Sequence, residues 1–238
     1  MNGTDSYAYR VQPWSFQPHI AHLVVNHQRQ VPSLDDVRRW TDPLPNLGYT
    51  AVRTNALGRG AGRQMECAGY TVLQELVLLE LTPLRRAVSA ILNSAAVRSG
   101  ERIATRLLNN DQLADVSDID VAAFGSDWGL CERAITDVCA ATPRHRLRGT
   151  GEPLAAFAIS GRDGRQGFLQ RLSVSPECRR HGLGRALVID SLEWMTRWHV
   201  QRVLVNTAFD NYAALALYEG LGFRRIGERL RVFERSLL

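Results

Sequence analysis

Apolar positions change period along the chain, most sharply between residues 169 and 198. Leu172 and Val174 alternate with Arg171 and Ser173, which predicts a strand, and Pro176 removes a backbone donor and ends it. Beyond Arg179-Arg180-His181-Gly182-Leu183-Gly184 the apolar residues Ala186, Leu187, Ile189, Leu192 and Met195 recur at helical spacing, so both glycines fall at a helix N-terminus. That helix is expected to run to Trp198. Val203 to Ala208 then reads as a second strand, followed by a short helix, Leu221-Gly222-Phe223, and strands through Arg231 to Glu234.

Upstream, the apolar patch Ile20 to Val25 fits either a short helix or a strand. Leu34, Val37 and Trp40 predict an amphipathic helix with Ser33 as its N-cap, Asp35 and Asp36 in its first turn, and Pro43 beyond its end. A strand over Gly48 to Asn55, a short helix over Arg63 to Gly69 and one or two strands over Tyr70 to Leu81 follow. This order repeats that of the last third of the chain, and Ala68-Gly69-Tyr70 matches Leu221-Gly222-Phe223 at an offset of 153 residues. The reading is an internal repeat; the alternative is two unrelated α/β segments with a common pattern. Leu84, Val88, Ile91 and Leu92 predict a linking helix within Pro83 to Ser99, closed by Gly100. Ile103 to Leu108 reads as a strand. Gln112 to Phe124 reads as a helix whose buried face is Leu113, Val116, Ile119, Ala122 and Ala123. A loop at Ser126 to Gly129 precedes a helix from about Leu130 to Ala141. Three strands complete a meander, with Gly161-Arg162-Asp163-Gly164 as a hairpin turn.

The first turn of a helix leaves several N–H groups without intrahelical partners and carries the positive end of the helix dipole. Gly182 and Gly184 leave room for an anion to approach that backbone, and Arg179, Arg180 and Arg185 add positive charge, so the loop suits a diphosphate. A tight turn with a solvated basic face is the alternative for the loop alone. Arg179-x-x-Gly182-x-Gly184, after a strand ending Leu172-Ser173-Val174-x-Pro176, resembles the acetyl-CoA signature of the GNAT superfamily of N-acetyltransferases. Asn211-x-x-Ala214-x-x-Leu217-Tyr218-x-x-x-Gly222-Phe223 resembles the second signature of that family. The likeness covers about the last 135 residues.

The resemblance implies a GNAT fold of the α/β (α+β) class: a mixed, mostly antiparallel central sheet flanked by helices, preceded by a smaller, partial GNAT-like unit. The expected division is a degenerate half over residues 1–82, a linker helix over 83–100 and the catalytic domain over 101–238. It also implies acetyl-CoA as donor and a primary amine of a small molecule or peptide as acceptor. The diphosphate then rests on Arg179, Arg180, His181, Gly182, Leu183 and Gly184, with Arg185 beside them. The pantetheine arm runs along Leu172, Ser173 and Val174 near Asn206 and Asn211, and Tyr218 serves as the acid. Asp127 and Trp128 border the acceptor site in this likeness, a capping Asp and a core Trp being the alternative. The chain departs from the family at the base: Phe168-Leu169-Gln170-Arg171 carries no acid. Arg171 is then a partner for an acidic acceptor, and Asp210, Glu219 or a water chain remain as bases. The first copy lacks both signatures and is expected to bind no CoA. A CoA-binding module without turnover is the second function class left open.

Composition changes the picture only at its margins. With 45% hydrophobic residues the chain has ample material for a core. The net charge is +5, but all 29 basic residues are Arg, which points to a high-GC genome rather than to nucleic acid; a modest basic excess also suits CoA. No apolar run is long enough to cross a membrane, and the opening MNGTDSYAYR lacks the pattern of a signal peptide, so a cytoplasmic protein is expected, as monomer or homodimer. Cys67, Cys131, Cys139 and Cys178 are scattered and read as buried thiols, and His19, His22 and His27 lack a further ligand, so no metal site is expected.

Overall fold

The computed structural model describes residues 9–25, 31–94 and 103–238. His27, the end of the linking helix and Gly100 lie outside the described residues. The chain packs as two compact units: Met1–Leu78 with Asn206–Asn211 and Ile226–Leu238, and Leu79–Val205 with Tyr212–Arg225.

In the first unit β1 (Tyr9–Trp14) and β2 (Gln17–Val25) form an antiparallel hairpin. The patch that fits helix or strand is strand, because Ala21, Leu23 and Val25 are buried and His22 and Val24 between them are less so. α1 (Leu34–Thr41) begins at Ser33 as expected. The Asp36 N–H donates to Ser33 Oγ at 3.1 Å and the Ser33 N–H donates to the Asp36 carboxylate at 2.9 Å, a reciprocal capping box. The helix carries the chain to β3 (Ala51–Thr54), parallel to β2 with Ile20 opposite Ala51. α2 (Arg59–Cys67) starts before the expected Arg63, because Ala61 and Gly62 are helix-packing positions: a Cβ on Gly62 would meet the Phe233 ring at 2.9 Å. β4 (Thr71–Leu81) is one strand, and β10 (Arg224–Ser236) pairs antiparallel with β3, Glu234 opposite Arg53. The strand order is β1-β2-β3-β10-β4, over a core of Leu23, Val37, Trp40, Val52, Met65 and Phe233. Side chains of this size contribute roughly 1.5–3 kcal/mol each when buried.

The second unit holds α3 (Leu84–Leu92), β5 (Arg106–Leu107), α4 (Leu113–Phe124), α5 (Glu132–Ala140), β6 (Arg144–Thr150), β7 (Ala156–Asp163), β8 (Gln166–Val174), α6 (Leu183–Arg197), the Arg202–Val205 part of β9 (Arg202–Ala208), and α7 (Tyr212–Gly220). Its strand order is β9-β8-β7-β6-β5; the β5 to β8 pairs are antiparallel and β8/β9 is parallel, with α6 as the crossover. Alternation along β7 separates two layers. Phe157 and Ile159 face Val116, Ile119 and Ile135 of α4 and α5, whereas Ala156 and Ala158 face Leu187 of α6. This is the mixed α/β sheet flanked by helices that the resemblance implies.

Three local expectations are corrected. The hairpin turn is Gly164-Arg165, because β7 pairs with β8 as far as Asp163 opposite Gln166. β5 is only two residues long. The buried face of α4 is Val116, Ser117, Ile119 and Asp120, while Ala122 is exposed and Ala123 half-buried. The register of β7 and β8 also slips between Ile159 and Ser160, which pair with Arg171 and Leu169, so Gln170 is an extra residue, a β-bulge. Among the described residues no helix is long and apolar enough to cross a membrane.

Candidate functional site

β8 ends at Val174, and the Ser175 N–H donates to the Ala155 carbonyl at 2.9 Å. A 3₁₀ turn over Pro176–Cys178 follows, then two left-handed residues, Arg180 at φ 67° and Gly182 at φ 82°, turn the chain into α6. Gly182 is the N-cap, and no side chain caps the first turn. The first turn of α6 thus has no side-chain acceptor for its N–H groups, a condition that favours an anion there.

The two glycines differ in their surroundings. Gly182 needs its positive φ. A Cβ on Gly184 would lie 3.5–3.7 Å from Val174, Leu172 and Leu217, ordinary contact with side chains of β8 and α7. Arg180 and His181 are exposed, and Leu183 and Arg185 half-buried. Arg179 is exposed, and its Nη2 donates to the Ala123 carbonyl at 3.2 Å near the end of α4. Ser175 Oγ donates to Glu177, and that hydrogen bond is the main reason the Glu177 carboxyl sits below its ordinary pKa.

Tyr218 lies on α7, next to Leu217, with 5% of its surface exposed. Its ring packs on Phe223, centroids 5.6 Å apart. Burial pushes its phenol above the ordinary range, against the opposing positive charge of Arg171. The loop, the end of β8 and α7 thus converge through Leu172, Val174, Gly184 and Leu217. Asn206 and Asn211 belong to the first unit; Asn206 is exposed, and the Asn211 N–H donates to the Ala208 carbonyl at 3.0 Å.

Sequence reasoning missed Asp120. It is fully buried on α4 and accepts from four donors: the Leu130 N–H at 2.8 Å, Arg171 Nε at 2.8 Å and Nη2 at 2.6 Å, and Ser173 Oγ. Arg171 also donates from Nη2 to the Trp128 carbonyl at 2.8 Å and stacks 3.8 Å from the Phe124 ring centroid. Its guanidinium is occupied by an internal carboxylate, where the sequence suggested an acidic acceptor. An acid at helical spacing beside Val116 and Ile119, on an apolar face, was the available signal.

Asp127 is exposed and Trp128 half-buried on the loop after α4. Gly125 turns into that loop at φ 75°, and the Gly129 N–H donates to the Gly125 carbonyl at 2.7 Å; a Cβ on Gly129 would come within 2.8 Å of that oxygen. Of the suggested bases, Glu219 accepts from Arg225 Nε at 2.7 Å, and Asp210 lies in the first unit. The four cysteines are free thiols, but only Cys139 is buried: Cys131 and Cys178 are half-buried and Cys67 is exposed, which corrects the expectation of buried thiols. Among the described residues no group of three His, Cys, Asp or Glu is placed to hold a metal.

Residues 114–223 match the family model described as Acetyltransferase (GNAT) family. The chain is 43% identical over 69 residues to N-acetyltransferase family 8 member 3 of Rattus norvegicus, 29% of this chain and 30% of that protein. It is 37% identical over 70 residues to the [ribosomal protein bS18]-alanine N-acetyltransferase of Escherichia coli, 29% of this chain and 47% of that one. The likeness thus spans less than half the length of either relative. A tandem GNAT protein from the clavulanic acid biosynthesis pathway superposes with a TM-score of 0.65 at 17% identity, over 96% of this chain and 78% of that one, a likeness of fold.

Proposed function

We propose, from the match of residues 114–223 to the GNAT acetyltransferase family, that the protein transfers an acetyl group from acetyl-CoA to a primary amine of a small molecule or peptide. The observation that carries the reading is the uncapped start of α6, directly after β8, inside the matched segment. Its features suit a diphosphate: N–H groups with no side-chain acceptor, a glycine at positive φ, and Arg180, His181 and Arg185 alongside. When bound, acetyl-CoA supplies an acyl group already activated as a thioester.

The chain's own residues supply the rest. The N–H groups at the start of α6 bind the diphosphate. Leu172, Ser173 and Val174, beyond the β8/β9 ladder that covers Gln166–Leu169 and Arg202–Val205, orient the donor's arm along the strand. Tyr218, whose burial keeps the phenol protonated at neutral pH, holds the proton for the leaving thiolate at Oη. The name of the E. coli relative favours a peptide N-terminus among the acceptors. We read residues 1–82 as a degenerate GNAT-like half that binds no CoA, and the protein as cytoplasmic, acting on neither nucleic acid nor membrane.

One observation favours the second reading, a CoA-binding module without turnover. Two of the carboxylates near the site are already engaged: Asp120 accepts four hydrogen bonds and Glu219 is held by Arg225. Thiol release from acetyl-CoA over a panel of amines and peptides separates the two. Amine-dependent release supports the transferase; binding of acetyl-CoA with no release on any amine supports the module.

A further inference from the structure

The Asp120 cluster joins three segments that are far apart in sequence. Asp120 and Phe124 come from α4, Arg171 and Ser173 from β8 beside the Gln170 bulge, and the Trp128 carbonyl and Leu130 N–H from the loop between α4 and α5. The carboxylate is fully buried, and the guanidinium meets it with two parallel bonds of 2.8 and 2.6 Å. A forked pair of this kind fixes direction as well as distance. A third bond from the same guanidinium holds the loop carbonyl, and a fourth acceptor slot of the same carboxylate holds the loop N–H. The loop is thereby pinned at two points, and Gly129 folds it back on Gly125.

We propose that Asp120 and Arg171 are a positioning pair that sets the acceptor side of the site: they fix the 125–130 loop, with Asp127 and Trp128, against the end of β8. This rests on the reading of β8 as the strand that orients the donor. The pair touches neither reactant. Its effect runs through the loop, so it governs how the amine is held and leaves the α6 anion cradle unchanged. Ser173 locks the carboxylate from the strand side, which explains why a serine is fully buried where the β8 pattern would admit an apolar residue.

The test uses the full chain. Replacing one partner leaves an orphaned buried charge and risks unfolding, so the informative variant is the double Asp120→Leu/Arg171→Met, which removes both charges together. Arg171→Lys is the companion, keeping the charge and losing the fork. Three quantities are read: the calorimetric Kd for acetyl-CoA, deuterium uptake of residues 125–131, and KM for a short peptide with a free N-terminal amine. The pair predicts a Kd within about twofold of wild type, faster exchange at 125–131, and a KM raised about tenfold or more with a smaller change in kcat. Arg171→Lys should fall between the two. Exchange at 125–131 unchanged in the double variant overturns the proposal, as does an unchanged KM. A wild type that binds acetyl-CoA but acetylates no peptide or amine refutes the transferase reading alone; the exchange measurement then still decides whether the pair holds the loop.

Discussion

Each compact unit contains a parallel strand–helix–strand crossover, β2–α1–β3 in the first and β8–α6–β9 in the second, and the two helices begin in opposite ways. At α1 the helix start is closed by its own sequence. Ser33 and Asp36 satisfy each other's backbone donors, and the Asp36 carboxyl is held below its ordinary pKa, chiefly by the Ser33 hydroxyl. At α6 no side chain takes that place; Gly182 sits at φ 82° and the first-turn donors are left for something outside the chain. A carboxylate already neutralises the positive end of one dipole, and the other is open to an anion. One topology thus serves as scaffold in the first unit and, in the proposed function, as the anion site in the second. The following turns are alike: Tyr70 N–H donates to the Met65 carbonyl at 3.0 Å after Gly69, and Phe223 N–H donates to the Tyr218 carbonyl at 3.0 Å after Gly222. The two units therefore differ in the side chain at the matching turn, Met65 against Tyr218, on similar backbone.

The largest expected effect is at that pair. Tyr218→Phe should lower kcat by about 10² to 10⁴ with little change in acetyl-CoA affinity, since it removes a proton donor and leaves the cradle intact. Met65→Leu at the matching place should leave turnover unchanged and cost under about 1.5 kcal/mol. Steady-state kinetics and melting on the two variants check this, and a Tyr218→Phe kcat within threefold of wild type, in the sense of that ~10²-fold minimum, removes the acid from the account.

Next comes the open helix start. Valine at 184 would drive its methyls into Val174, Leu172 and Leu217, displacing the first turn; we expect acetyl-CoA affinity to fall about 100-fold, or about 2.7 kcal/mol. Titration calorimetry reads this directly, and an affinity within twofold of wild type contradicts it.

Each unit also buries a phenol, which gives an alkaline comparison. Burial pushes Tyr70 up to about 12, and Tyr218 is raised as well, so both fold in the protonated form. A raised folded pKa means the contribution is complete below the unfolded value of about 10 and is lost as pH rises through the folded one. Melting temperature should fall from about pH 10 upward, and Tyr70→Phe should flatten part of that fall. A wild-type and Tyr70→Phe pair with identical alkaline profiles contradicts the assignment.

The smallest effect belongs to the closed start. Ser33→Ala should cost about 1 kcal/mol in stability and leave acetyl-CoA binding and turnover unchanged.

These contrasts also mark what the sequence could say. The change of period after Pro176, the two glycines and the capping residue Ser33 are local signals, and each stands where it was expected. The strand at Ile20 to Val25 is ambiguous in the sequence because a short apolar run carries both periods, and pairing with β1 and β3 decides it. Asp120 was hidden because its partners lie up to 53 residues away, on a strand whose apolar alternation suggested the wrong buried side. In β8 the fully buried member is Ser173, while Leu172 and Val174 are only partly covered against α6. The Gln170 bulge has no sequence mark, since it is defined by what β7 does opposite it. The grouping of Ile226–Leu238 with the first unit is likewise a matter of pairing, Glu234 with Arg53, that no local pattern encodes.

The account's central claim is that one helix start of the two is open. Calorimetric titration of acetyl-CoA into the full chain tests it most directly. One site per chain is expected, weakened about 100-fold in Gly184→Val and retained in Ser33→Ala; two sites per chain, or one site of unchanged affinity in Gly184→Val, would overturn it.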